Sequence, residues 1–187
     1  TESLPFGFYS NALNNNGVRR AEGKLMVSGV PDLGIPNLPV DIQLTDFVIF
    51  DQNAASGTTL STVSGNIPQE MEGFNLNVAY TLSSKAGETL ATYTLSNGEV
   101  YNNVKKVEVK LNLSVTVTVS QLPIPIAILP SQDVAVSTQY YADGIGMIYA
   151  STDISYQLAS LPVELPIDIP QSMSEHQDEI LVDYQAE

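Results

Sequence analysis

The residues able to do chemistry in this chain of 187 are few: one histidine, no cysteine, no tryptophan and nine tyrosines. A Ser-His-Asp hydrolase would have to rest on His176, which sits in a polar C-terminal segment, and no Gly-x-Ser-x-Gly elbow occurs. Zinc sites draw on several Cys or His ligands, so none is expected. Asp41, Asp46 and Asp51 recur every five residues, which in a regular strand turns Asp46 away from the other two. No Asp-x-Asp-x-Asp-Gly calcium loop is present, and Asp143 and Asp153 stand isolated. Glycine-rich phosphate loops and dinucleotide fingerprints are absent. The sequence therefore offers no catalytic residue, no metal site and no cofactor. What it offers is Tyr140-Tyr141-Ala142-Asp143-Gly144-Ile145-Gly146-Met147-Ile148-Tyr149, with three tyrosines, two glycines and a turn dipeptide between two strand-like runs. The plain reading is a strand corner with packed aromatics. The functional reading places Tyr140, Tyr141 and Tyr149 at the mouth of a pocket.

The elements that must position this segment read as strands. Val107, Val109, Leu111, Leu113, Val115, Val117 and Val119 alternate with polar residues, a long strand with one apolar face. Phe74, Leu76, Val78, Tyr80 and Leu82 repeat the pattern, as do Val40, Ile42 and Leu44. Weaker strand patterns cover 21–30, 57–65, 89–96, 133–141, 145–158 and 179–184. Asn97-Gly98 is a strong hairpin signal; Ala86-Gly87, Asn102-Asn103 and Asp143-Gly144 are weaker turn signals. The one helix candidate is 172–179, about two turns with Ser172 and Glu175 spaced as a capping box, and it reads equally as coil. Short turns between strands with one apolar face predict an all-β antiparallel meander. The expected architecture is a strongly twisted antiparallel sheet forming a half-open barrel, with a two-sheet β-sandwich as the alternative. Residues 1–187 read as one β domain with Pro-rich excursions near 30–39, 122–130 and 161–170.

Charge narrows the partners. Seven Lys and Arg against 21 Asp and Glu give a formal net charge of −14, and no Lys or Arg follows Lys110. Such a surface repels phosphate backbones and anionic lipid heads, which argues against nucleic-acid and electrostatic membrane binding. No run approaches the ~20 apolar residues of a membrane helix. Many Ser, Thr and Asn on strand faces, few Lys, and a start at Thr1 without Met suggest an exported protein from which a signal has been removed.

The long strand, the paired aromatics and the motif Tyr140, Tyr141, Ala142, Gly144, Ile145, Gly146, Met147 and Ile148 resemble a family of bacterial envelope proteins of unknown function. These are the periplasmic or lipoprotein-like domains of the DUF3108 or TapB-like kind. The resemblance covers roughly 70–184, with Val104-Lys105-Lys106-Val107 as the turn into the long strand and 179–184 as the closing strand. Such domains are similar in architecture to the LolA/LolB carriers, a curved sheet around an apolar cavity. The resemblance implies a non-enzymatic periplasmic or cell-surface protein that binds a lipid or other apolar or amphipathic ligand in the concave sheet. Its expected lining is Tyr140, Tyr141, Tyr149, Phe74, Tyr80, Leu111 and Ile126, with Leu76 and Val115. The alternatives are a structural or adhesive module that docks a protein partner on its Pro-rich strips, and a carbohydrate-active enzyme with two facing carboxylates.

Overall fold

A computed structural model describes residues 7–13, 16–31, 40–71, 74–118, 124–160 and 169–182. Six strands, β4 (Thr59–Met71), β5 (Phe74–Thr94), β6 (Val100–Thr118), β7 (Ile126–Ala142), β8 (Gly146–Gln157) and β9 (Ser172–Ile180), form one antiparallel sheet in chain order. It does not close into a barrel: β4 and β9 are its free edges. Three shorter strands, β1 (Gly17–Ala21), β2 (Lys24–Gly29) and β3 (Leu44–Asp51), make a second antiparallel sheet. The six-residue helix α1 (Phe8–Leu13) precedes them. The chain is all-β, with an open main sheet and a second sheet packed against it.

The central strand β6 shows why the layers meet. Val107, Val109, Leu111, Leu113, Val115 and Val117 are all buried, while the residues between them are half-exposed. In the antiparallel register this face is shared by Leu76, Val78, Tyr80 and Leu82 of β5, Ala135 of β7 and Ile154 of β8. A face of that size cannot be left in water, since burial is worth about 25 cal/mol for each Å² of apolar surface. Leu25, Val27, Leu44, Phe47 and Ile49 of the small sheet, with Phe8 and Tyr9 of α1, join it in one continuous core. Polar stitches hold the two layers in place. The backbone of Val48 donates to Ser61 Oγ (2.9 Å) and accepts from Ser84 Oγ (2.6 Å). A helix of six residues is unstable alone; α1 is held by β9, where Glu179 accepts from the backbone of Tyr9 (2.8 Å) and Ser10 (3.0 Å) and from the Ser10 hydroxyl. Gln177 Oε1 accepts from the backbone of Phe8 (3.1 Å).

Several local expectations change. Residues 172–180 are an edge strand, not a helix: nine rungs of pairing with β8 satisfy backbone groups that a two-turn helix would leave open. Ala86-Gly87 and Asn102-Asn103 do not turn the chain. They lie inside β5 and β6, where the register shifts between Ala86 and Thr89 and Asn103 adopts φ +51°. Asparagine tolerates that left-handed backbone, so an irregularity replaces a turn. Asn97-Gly98 does turn, with Gly98 at φ +90° and Asn97 Oδ1 accepting from the Glu99 backbone. The described parts of the Pro-rich strips feed the core: Ile128 and Leu129 are buried and Ile169 packs on the core edge, while Ile124 is 68% exposed. The remainder of those strips, 32–39, 122–123 and 161–168, lies outside the described residues. Among the described residues no helix is long and apolar enough to cross a membrane.

Leu111 is fully buried at the centre of the shared face. Leu111→Ala should cost about 2–5 kcal/mol in urea unfolding with an unchanged slope; a loss under about 1 kcal/mol would contradict the packing described.

Candidate functional site

Tyr140 and Tyr141 are neighbours in a strand and so point to opposite faces of the sheet. Tyr141 points inward. Its ring stacks on Phe50 of β3 (centroids 4.2 Å, 21° between planes) and meets Tyr9 of α1 edge-on at 6.3 Å. Its hydroxyl donates to Gln139 Oε1 (2.7 Å). Gln139 Nε2 donates to Ser137 Oγ (3.4 Å), which also accepts from Thr152 Oγ1 (2.8 Å). All four side chains are buried, so this chain of hydrogen bonds fixes the tilt of the Tyr141 ring. Burial pushes the Tyr141 phenol well above its ordinary range and raises that of Tyr9, while the Arg20 charge pulls both the other way. Both phenols are therefore neutral at physiological pH.

These three rings form the floor of an open cleft of about 790 Å³ between the two sheets. One wall is the β1–β2 hairpin, with Arg20, Glu22, Lys24 and Leu25; the other is the β7–β8 corner, Ala142 to Met147. Gln52 and Asn53 after β3, and Thr89, Asn103 and Lys105 from β5 and β6, complete the rim. The glycines of the corner have separate tasks. Gly144 turns the chain at φ +72°, and Gly146, at φ +111°, leaves Arg20 Nη2 3.8 Å from where a Cβ would stand. Lys105 Nζ donates to the carbonyls of Asp51 (3.3 Å), Gln52 (2.9 Å) and Ala54 (2.5 Å), which ties the β3–β4 loop to the sheet and fixes the rim.

The outer face carries a second constellation. Tyr140 stacks on Tyr93 at 4.4 Å and tilts against its cross-strand partner Tyr149 at 5.4 Å. Tyr93 belongs to β5, two strands away, so the end of the β5–β6 hairpin folds over the sheet to reach it. Beneath it Leu95, Tyr101, Val104, Ala142 and Ile148 form a small second core. Burial, with Tyr140 and Tyr149 nearby, pushes the Tyr93 phenol up to about 12. Lys106 Nζ lies 5.6 Å from the Tyr140 ring centre and pairs with Glu88 at 2.6 Å. Tyr149 donates to Asp178 Oδ1 (2.6 Å), and exposed His176 bridges Asp153 (Nδ1, 2.7 Å) and Asp178 (Nε2, 3.3 Å).

The expected lining thus divides. Tyr141 lies in the cleft; Tyr140 and Tyr149 lie behind it on the opposite face. Leu111, Val115 and Leu76 are buried in the core that the two sheets share, and Ile126 and half-buried Tyr80 pack on the same core. The Tyr80 ring covers Gly65 across the strand pair, its hydroxyl 2.7 Å from where a Cβ would stand. Phe74 opens β5, and its side chain lies outside the described residues. Side chains therefore fill the inner face of the sheet at its centre, and free volume remains at the Tyr141 end. Among the described residues no group of three or more His, Cys, Asp or Glu is placed to hold a metal. Asp46 pairs with Arg19 (3.1 Å) and Asp51 accepts from the Asn53 backbone. The sequence reading missed Tyr9, Phe50, Arg20 and Gln139. Of these only Gln139 leaves a signal, a polar residue on the inner face of its strand beside Tyr141. No family model matches this chain, and neither the curated proteins nor the solved structures include a significant match.

Two outcomes follow from these contacts. The hydrogen bond that His176 Nδ1 donates to Asp153 is the main cause that raises the His176 pKa above 6.5. A raised folded-state value means His176 stabilises the fold below about pH 6.5, an effect lost as pH rises through the folded pKa. NMR titration should find His176 above 6.5 and Asp153→Asn should lower it; an unmoved midpoint would show that the pair does not form. Glu179→Ala should release α1 at a cost of about 1–2 kcal/mol. Hydrogen exchange at Tyr9 and Ser10 should then accelerate selectively, and uniform acceleration across the sheet would point to global loosening instead.

Proposed function

We propose that this protein is a binding domain whose cleft takes an amphipathic small molecule, the apolar body on Tyr9, Phe50 and Tyr141 and the polar end at the rim. The observation that carries this reading is the cleft of about 790 Å³ with an aromatic floor. That volume falls in the range of ligand pockets, roughly 300–1,000 Å³, in which apolar walls supply affinity and a few polar groups supply orientation. The buried Thr152–Ser137–Gln139–Tyr141 chain supports it further, because it pre-sets one ring of the floor and lowers the ordering cost of binding.

An envelope location, periplasmic or at the cell surface, is part of the proposal. It is supported by the Ser, Thr and Asn on exposed strand faces, the scarcity of Lys, and the resemblance of 70–184 to envelope domains. A concave lipid pocket of the carrier type has less support, since the small sheet occupies the inner face. Docking of a partner on the Pro-rich strips is weakened in the same way, because Ile128 and Leu129 face the core.

An NMR titration with octyl-chain amphiphiles of differing head group tests the reading. Amide shifts should concentrate in 20–25, 50–53 and 141–147, and Phe50→Ala should weaken binding about tenfold through lost ring contact. Shifts absent from those segments would remove the cleft from consideration.

A further inference from the structure

We infer that the ligand selected by this cleft is an anionic amphiphile, a carboxylate or phosphate monoester on an apolar tail, with its charge held by Arg20 and Lys24. The inference rests on the cleft reading above and adds the sign of the charge. The chain has seven basic residues against 21 acids, and three of the seven, Arg20, Lys24 and Lys105, line this one cleft. Lys105 is engaged by three backbone carbonyls. Arg20 and Lys24 are not paired with any acid among the described residues.

The contrast along β1 is informative. Arg19 and Arg20 are consecutive and face opposite sides. Arg19 turns away and pairs with Asp46 at 3.1 Å, whereas Arg20 turns over the aromatic floor and reaches Gly146 across the cleft. An unpaired guanidinium facing a cleft on a chain so rich in acids is a receptor for a negative group, and its planar fork matches a carboxylate or phosphate in bidentate fashion. The floor beneath it is aromatic and neutral, suited to a tail rather than to a second charge. The acids that line the cleft, Glu22 and Asp143, both sit at exposed positions in the turns of the two walls, and Asp51 is the cross-strand partner of Lys24 without an ion pair to it, so Arg20 carries the larger share of the charge. A bare anion would gain only the charge contact against the repulsion of a −14 protein, so the tail is needed for affinity.

The test compares octanoate, octyl phosphate, octanol and octylammonium by NMR titration at 0.15 M salt, with acetate and inorganic phosphate as tail-free probes. Octanoate and octyl phosphate should bind at least about tenfold tighter than octanol or octylammonium, and acetate and phosphate at least about tenfold more weakly than their octyl forms. Arg20→Gln, at an exposed position, should melt like the parent and abolish the preference for anions, and Lys24→Gln should reduce it severalfold. Octanol matching octanoate, or a preference that survives in Arg20→Gln, would overturn the anion assignment and leave the cleft reading standing. Acetate matching octanoate would overturn the requirement for a tail. Cleft amides unmoved by all four octyl compounds would bring down both readings together.

Discussion

A sheet with one apolar face needs a cover, and most of this structure is the answer to that need. The inner face runs from Leu76 on β5 through Leu111 on β6 to Ile154 on β8, and the sheet, with free edges at β4 and β9, does not close over it as a barrel. The small sheet β1–β3 and the helix α1 supply the second layer. That layer has three short strands against six long ones, and a cleft opens between the two sheets beside Tyr141.

The cleft is consequently a boundary between layers rather than a pocket within one. Its floor draws one ring from each of three elements, Tyr9 from α1, Phe50 from β3 and Tyr141 from β7. Each ring is held by something distant in sequence. Glu179 of β9 secures the helix that carries Tyr9, Lys105 of β6 secures the loop after Phe50, and the polar chain from Thr152 of β8 secures Tyr141. Polar groups on an otherwise apolar face usually weaken a core. Here Ser137, Gln139 and Thr152 satisfy one another and end at the site, which gives them a reason to be there.

The two faces of the β7–β8 corner show how far apart neighbouring residues can be in role. Tyr141 belongs to the cleft, while Tyr140 belongs to the aromatic stack with Tyr93 and Tyr149 that anchors the folded-over end of the β5–β6 hairpin. That hairpin end in turn places Thr89 and Asn103 on the rim. The outer stack thus shapes the cleft from behind without touching its contents.

Strand alternation was legible in the chain wherever one face is buried, because a period of two in Val107 to Val117 or Leu76 to Leu82 has no other solution. So were the two turns at Asn97-Gly98 and Asp143-Gly144, where glycine alone takes the required backbone at no cost. The composition set the charge, and with it the partners that the surface repels. The rest depended on contacts between distant residues. Segment 172–180 became a strand because β8 offered it an open edge, and 86–87 and 102–103 stayed within strands because the hairpin absorbed them as irregularities. The joining of Tyr9, Arg20, Phe50 and Tyr141 has no trace in local sequence, since a site made where two layers part exists only once both layers are in place.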